Sequence, residues 1–258
     1  MREGWTRSKS FTLVRERIVL PTVEYQRFGS LAHIQIHRFR EATTRDLRSA
    51  LATLEKGTAI EGVILDLRGN PGGLLEQGIS VADTFMDKGT IVSVISRSGR
   101  KVEVAKAHAK NSYATLPVVL LVDQSSASAS EIVAAAFQDS KRATLVGVPT
   151  YGKGTVQTFL DLADGSGLKL TTSRYLSPNK RDIDGAGIEP EVVVEAFEDE
   201  VVTAGEGRSE ANSEGAAPPR PADLASLLSE EAWGRLADDP QLIKSFRVLS
   251  AKVRESRR

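Results

Sequence analysis

The sequence predicts an α/β fold with parallel βαβ crossovers and a sheet that becomes mixed at its edge. Three observations predict it. The segments GVILDL at 62–67 and PVVLLV at 117–122 are nearly continuous apolar runs, as expected of strands covered on both faces. Each run stops at a turn of small residues, RGNPGG and QSSASAS. Each turn leads into a segment whose apolar residues recur at helical spacing, and buried strands alternating with helices mark a layered α/β architecture.

In chain order, FTLVRERIVL at 11–20 begins with period-2 alternation and ends apolar, which predicts one strand or two short ones, closed by Pro21. LAHIQIHRF at 31–39 alternates and reads as a strand. Thr43 or Thr44 then offers an N-cap for a helix bearing Leu47, Ala50, Leu51 and Leu54, with Gly57 closing it. After the strand at 62–67 a helix is predicted over 74–86. IVSVIS at 91–96 reads as a further buried strand, followed by a polar connection to PVVLLV, and EIVAAAF as the helix after QSSASAS. ATLVGV at 143–148, TVQTFLDL at 155–162 and LKLTTSRYL at 168–176 are strand candidates separated by glycine turns. AFEDEVVTAGEGRSEANSEGAAPPRP is acidic, rich in small residues and ends in prolines, so 196–222 reads as a flexible linker. From Asp223 onward Leu224, Leu227, Leu228, Leu242, Phe246, Leu249 and Val253 recur at helical spacing and predict one or two terminal helices.

Composition narrows the chemistry. At 258 residues and 40% hydrophobic content the chain has room for one large or two small domains with a sizeable core. Its 34 basic and 34 acidic residues cancel, and no segment interleaves a basic stripe with aromatics, so nucleic acid is not an expected partner. With no cysteine there is no disulfide, thiol nucleophile or thiolate metal site. The start, MREGWTRSKS, lacks the apolar stretch of a secretory signal, and no eighteen apolar residues run together, so no integral membrane segment is expected.

The segment SSASASEIVAAAF places small hydroxyl residues at a strand-to-helix corner. A serine there sits near the positive end of a helix, which favours developing negative charge on a nucleophile or an oxyanion. The competing reading is that these serines only cap the helix. A nucleophilic serine also needs a base, and the three histidines are poor candidates. His33 and His37 share one strand face, and His108 lies in the polar connection. The i, i+4 pair in HIQIH lacks the glutamate of a zinc-binding helix and sits in a strand pattern, so no metal is expected. The remaining base is Lys153 in PTYGKGTVQT, flanked by Gly152 and Gly154. A lysine titrates near 10.4 in water, so this role requires burial. The competing reading is an exposed turn lysine. RGNPGG adds glycine N–H groups at the C-terminal edge of the sheet, where ligands or oxyanions bind in open α/β folds.

Taken in order, DLRGNPGG, SASASEI and YGKGTVQT resemble the core of the carboxyl-terminal processing proteases, also called tail-specific proteases, peptidase family S41. The likeness runs from about Thr22 to Val194 and includes the closing segment DIDGAGIEPEVVV. The resemblance implies a ClpP/crotonase-like core with a mixed β-sheet and flanking helices. It implies Ser128 as nucleophile and Lys153 as general base, twenty-five positions apart as is usual in the family. It further implies Gln157 as the residue orienting the lysine, and the N–H groups of Ala129 and Gly73 as oxyanion hole. If 153–157 is extended, alternation would point Lys153 and Gln157 to one face. Asp66, Arg68 and Asp139 fall in family motifs and read as supporting ion-pair and turn residues.

The implied activity is endoproteolysis near the C-terminal tails of protein or peptide substrates, unfolded ones among them, through an acyl-enzyme and without cofactor or metal. A homo-oligomer or a regulatory partner is compatible with the resemblance. The implied compartment is periplasmic or otherwise extracytoplasmic, although no signal peptide is read here. Family members commonly carry a complete PDZ module before the core. Residues 1–21 resemble only the last strands of one, and 22–195 form the expected catalytic core, followed by the 196–222 linker and C-terminal helices over 223–258. Two alternatives stand beside this reading: a catalytically silent peptide-binding or scaffold protein derived from such a protease, and an acyl-CoA enzyme of the crotonase-like fold.

Overall fold

The computed structural model describes residues 21–96, 98–110, 113–196, 220–221, 223–225 and 228–257. The strands expected over 11–20 and nearly all of the expected linker lie outside these residues.

The main sheet has six strands in the order β1-β2-β3-β6-β7-β10. β1 (Val23–Phe28) runs antiparallel to β2 (Leu31–Ile36), and β2, β3 (Gly62–Asp66), β6 (Val118–Val122), β7 (Thr144–Gly147) and β10 (Val192–Val193) pair in parallel. Helix α1 (Thr43–Leu54) lies in the crossover from β2 to β3, α2 (Leu75–Phe85) in that from β3 to β6, and α3 (Ala129–Asp139) in that from β6 to β7.

Every residue of β3 and β6 is buried because the sheet is covered on both sides. Val63, Leu65, Val118, Leu120 and Val122 pack with the cluster that contains α1, α2 and α3. The intervening Ile64, Val119 and Leu121 join Phe28, Leu31 and Val146 under α4 (Glu230–Leu236) and α5 (Pro240–Ser256). In α5 the apolar positions Leu242, Phe246, Leu249 and Val253 follow helical spacing and all are buried. Phe246 meets Phe28 edge-on with ring centroids 5.0 Å apart. A Cβ on Gly62 would stand 2.8 Å from Leu249 Cδ1, so the glycine lets this helix lie close to β3.

A second sheet, wholly antiparallel, has the order β5-β4-β9-β8 and is built from β4 (Thr90–Ser96), β5 (Lys101–Lys106), β8 (Thr155–Asp161) and β9 (Gly167–Leu176). The segment 91–96 is therefore not a strand of the parallel alternation, and the polar connection after it contains β5. KVEVAK alternates charge with small apolar residues, which suits a strand paired on one side and is easily taken for a loop. The strands at 155–161 and 167–176 likewise belong to this second sheet. The mixed edge of the main sheet comes instead from β1, joined to β2 across the tight turn at Gly29, whose φ is +59°. Its sequence, VEYQRF, is mostly polar because it is an edge strand.

The N-cap of α1 is Ala42, not Thr43 or Thr44. Thr43 Oγ1 instead accepts from the Arg40 N–H at 2.9 Å and donates to the Arg38 carbonyl at 3.1 Å, while the Thr44 N–H donates to Gln77 Oε1 at 3.0 Å. Among the described residues no helix is long and apolar enough to cross a membrane.

Because Phe246 fills the junction of α5 with the sheet, Phe246→Ala should cost about 3–5 kcal/mol. Urea unfolding checks this as a lower midpoint with an unchanged slope.

Candidate active site

The turns after β3 and β6 lie side by side because the two strands are parallel neighbours. Hydrogen bonds join them into one unit. The Asn70 carbonyl accepts from the Ala127 N–H at 3.0 Å and from Ser130 Oγ at 2.9 Å, and the Leu67 carbonyl accepts from Ser126 Oγ at 2.8 Å. The Asp123 carboxylate accepts from the Gly69 N–H at 3.0 Å and from the N–H groups of Ser125 and Ser126. Inside the first turn Asn70 Nδ2 donates to the Ile36 carbonyl and Asn70 Oδ1 accepts from the Gly72 N–H. Ser126 and Ser130 are thus buried structural hydroxyls.

Ser128 differs from them. It occupies the N-cap position of α3 with φ +57° and ψ −109°, whereas an ordinary N-cap is extended. A non-glycine residue there is strained by about 1–3 kcal/mol, a cost met where surrounding contacts over-determine the backbone. This is the sharp strand-to-helix corner that lifts a serine out of a sheet, and its backbone departs from that of an ordinary cap even though Ser128 and Glu131 form a capping box at the start of α3.

Gly72 passes directly over this corner. A Cβ there would lie 2.9 Å from Ser128 Cβ and 3.0 Å from the Ala129 nitrogen. The peptide that carries the Gly73 N–H is thereby brought alongside the one that carries the Ala129 N–H. Gly73, at φ +148°, bridges to Phe39, and a Cβ there would stand 2.0 Å from the Phe39 carbonyl oxygen. Among the described residues neither the Gly73 N–H nor the Ala129 N–H donates to a protein acceptor.

Lys153 lies in the loop between β7 and β8. The segment 183–188 clamps that loop from outside, with the Gly185 N–H donating to the Gly152 carbonyl at 2.9 Å and the Thr150 N–H to the Ile188 carbonyl at 3.1 Å. The Ile188 N–H returns a bond to Thr150 Oγ1 at 2.8 Å. Gly154 faces Asp184 so closely that a Cβ would meet its nitrogen at 2.4 Å. From inside, the loop meets Glu131, a residue to which the sequence reading gave no role. Its carboxylate accepts from the N–H groups of Ser128, Gly152 and Lys153 at 2.7, 2.6 and 2.8 Å, and from Thr150 Oγ1 at 2.7 Å. The signal for it was present: a glutamate three residues after an N-cap serine is the capping-box pattern.

An open cavity of about 640 Å³ lies beside this arrangement, lined by Pro71, Gln124, Ser125, Ala127, Tyr151, Gly152, Lys153 and Asp184, so that it takes in Lys153 and the neighbours of Ser128 and Gly73 but not Ser128, Ala129 or Gly73 themselves. Two expectations are corrected here. Lys153 is exposed at the cavity rim, not buried, because the loop that carries it is covered only from behind by Glu131 and 183–188. Gln157 does not face Lys153 along a common strand: β8 begins only at Thr155, a register shift falls between Val156 and Gln157, and Gln157 Nε2 donates to Thr171 Oγ1 at 2.7 Å. The histidines line no part of the cavity. His33 is bonded to Asp66, His37 lies 3.3 Å from Glu24, and His108 Nδ1 lies 3.4 Å from Asp83. Among the described residues no group of three or more His, Asp or Glu side chains could hold a metal ion.

Asp66, Arg68 and Asp139 sit behind the site. Arg68 grips Asp66 with Nε at 3.0 Å and Nη2 at 2.7 Å, and forks onto Asp239 at the N-terminus of α5 with two bonds of 2.9 Å. Asp139 pairs with Arg181 at 2.6 Å and accepts from the Asn179 N–H, tying the end of α3 to a turn.

Residues 30–194 match the model of peptidase family S41. A carboxy-terminal-processing protease of Bartonella bacilliformis is 35% identical over 98% of this chain and 59% of its own length. The carboxy-terminal processing protease CtpA of Bacillus subtilis is 44% identical over 71% of this chain and 39% of its own. Among solved structures, a photosystem II D1 C-terminal processing protease superposes with a TM-score of 0.67 at 28% identity, over 88% of this chain and 55% of that one. The chain therefore spans about 39 to 59% of the length of these curated relatives.

Burial alone would push the Asp66 carboxyl up, but hydrogen bonds from His33 and Arg68 and the charge of Arg68 outweigh it and hold its pKa at about 2, below the ordinary 3.8. The folded state binds fewer protons there, so this stabilisation is complete above the unfolded value and is lost as pH falls through about 2. Asp66→Asn should therefore destabilise by about 3 kcal/mol near neutral pH, and by steadily less as acid protonates the wild type. Urea unfolding as a function of pH checks this, and a gap that stays constant into the acid range excludes it.

Proposed function

Because the chain belongs to peptidase family S41, we propose that it is a serine endopeptidase that cleaves proteins near their C-terminal tails, with Ser128 as nucleophile and Lys153 as general base. The observation that carries the proposal is the pair of unspent N–H groups, Ala129 and Gly73, on the two peptides that Gly72 brings together over the strained Ser128. Donors aimed at a developing oxyanion, in place before reaction, contribute several kcal/mol to lowering the barrier.

In this mechanism Lys153 takes the proton of Ser128 as its oxygen attacks a peptide carbonyl. The carbonyl oxygen becomes an oxyanion held by the two N–H groups, and the lysine returns the proton to the leaving amine. Water, deprotonated by the same lysine, then hydrolyses the acyl-enzyme and frees Ser128. The amine acts as a base only when shielded from water. A substrate chain lying in the cavity supplies that shield, since Tyr151, Gln124 and Ser125 line the same space as Lys153. Gln157 orients the lysine in this scheme only after exchanging its bond to Thr171. The core is of the ClpP/crotonase-like kind in this reading, with residues 1–21 as the end of a PDZ module.

A second reading has a specific observation behind it. The exposed Lys153 and the commitment of Gln157 to Thr171 suit a chain that holds extended peptides without cutting them. Cleavage of an unfolded protein with an apolar tail, measured beside covalent labelling by a fluorophosphonate, separates the two. Ser128→Ala and Lys153→Ala should each lower kcat by about 10⁴-fold or more, and Ser128→Ala should abolish labelling. Turnover surviving in either variant refutes the assignment, and a wild type that binds peptide but neither labels nor cleaves favours the second reading.

A further inference from the structure

Glu131 is wholly buried, at 0% exposure, and among the described residues no lysine, arginine or histidine pairs with it. A buried carboxylate without a cation is costly unless hydrogen bonds replace its water. All four of its partners here are donors, and all four belong to the two segments that carry Ser128 and Lys153.

The division between its oxygens is informative. Oε1 accepts from Thr150 Oγ1 and the Gly152 N–H, both in the lysine loop. Oε2 accepts from the Ser128 N–H and the Lys153 N–H together. The two amide nitrogens are thus no farther apart than those two bonds laid end to end. A glutamate at this helix position ordinarily reaches back to the N-cap N–H and no further, and that single bond would suffice to cap α3. The additional three bonds have no bearing on the helix.

We infer that Glu131 is a positioning residue, whose carboxylate fixes the backbone of Lys153 to the backbone of Ser128 and so sets where the amine can meet the hydroxyl. This role rests on the peptidase reading above. The lysine amine sits on a flexible four-carbon stem, so its reach onto Ser128 is defined only if the root of the stem is held. The bond to the Ser128 N–H also holds that residue at its positive φ. Glu131 does this through main-chain atoms, so it touches neither substrate nor the reacting groups.

The test compares wild type, Glu131→Gln and Thr150→Val for cleavage of an unfolded protein, for the rate of Ser128 acylation by a fluorophosphonate, and for thermal midpoint. Glutamine keeps the shape but turns one acceptor pair into an NH₂ group facing two donors. It should lower kcat and the acylation rate together by about 100-fold, with KM within about threefold, as a small misplacement of reacting groups does. Thr150→Val removes one bond to the same carboxylate and the acceptor of the Ile188 N–H while sparing the bonds from Ser128 and Lys153, and should lose stability with less than about a fivefold loss of kcat. If Glu131→Gln proves too unstable to purify, Glu131→Asp, which keeps the charge but withdraws it by one carbon, is read on the same scale. A glutamine or aspartate variant within about threefold of wild-type kcat overturns this role alone, as does a loss of kcat that tracks the loss of stability across the variants. A wild type that neither cleaves nor labels overturns the peptidase reading, and this role with it.

Discussion

The structure depends on one constraint: the turns leaving β3 and β6 share their hydrogen bonds. The Asn70 carbonyl serves Ala127 and Ser130, the Leu67 carbonyl serves Ser126, and Asp123 serves Gly69. Parallel pairing sets these turns side by side, and the mesh converts adjacency into a fixed geometry. Neither turn could hold its backbone alone. Gly73 needs a left-handed conformation against Phe39, and Ser128 needs one that side chains rarely adopt. The mesh is what holds these two peptides close together with their N–H groups unspent.

The lysine loop is added to this frame from a different direction. It comes from β7, is covered outside by the 183–188 segment and meets Glu131 inside. Its glycines, and Gly187 in the covering segment, have a direct steric reason, since a side chain at 154 or 187 would strike the backbone opposite and one at 152 would crowd it. The loop is therefore fixed at its root while the lysine side chain remains at the edge of an open cavity. A rigid base and a free tip are compatible because main-chain and side-chain positions are held by different contacts.

Much of this was legible in the sequence where the signal is local. β3, β6 and α3 were readable because continuous apolar runs and helical spacing need no knowledge of partners, and the small-residue turns marked the strand ends. The second sheet was not readable, because KVEVAK and TVQTFLDL alternate in the same way whether they extend the first sheet or form another. β1 escaped because an edge strand needs few apolar residues. The alignment expected of Lys153 with Gln157 failed because alternation holds only inside a strand, and β8 starts two residues after the lysine. Glu131 carried a helix-capping signature, but its bonds to the lysine loop depend on folding that brings residues 131 and 150–153 together.

The region matching the peptidase family ends at residue 194, yet the helices beyond it cover one whole side of the main sheet. Through the fork of Asp239 onto Arg68 they also brace the segment that leads into the RGNPGG turn. A fragment trimmed to the family boundary would leave Ile64, Val119, Leu121 and Val146 open to water as a contiguous greasy plane. Such a fragment should clump or need detergent in solution, so α4 and α5 belong to the folding unit although they lie outside the family match.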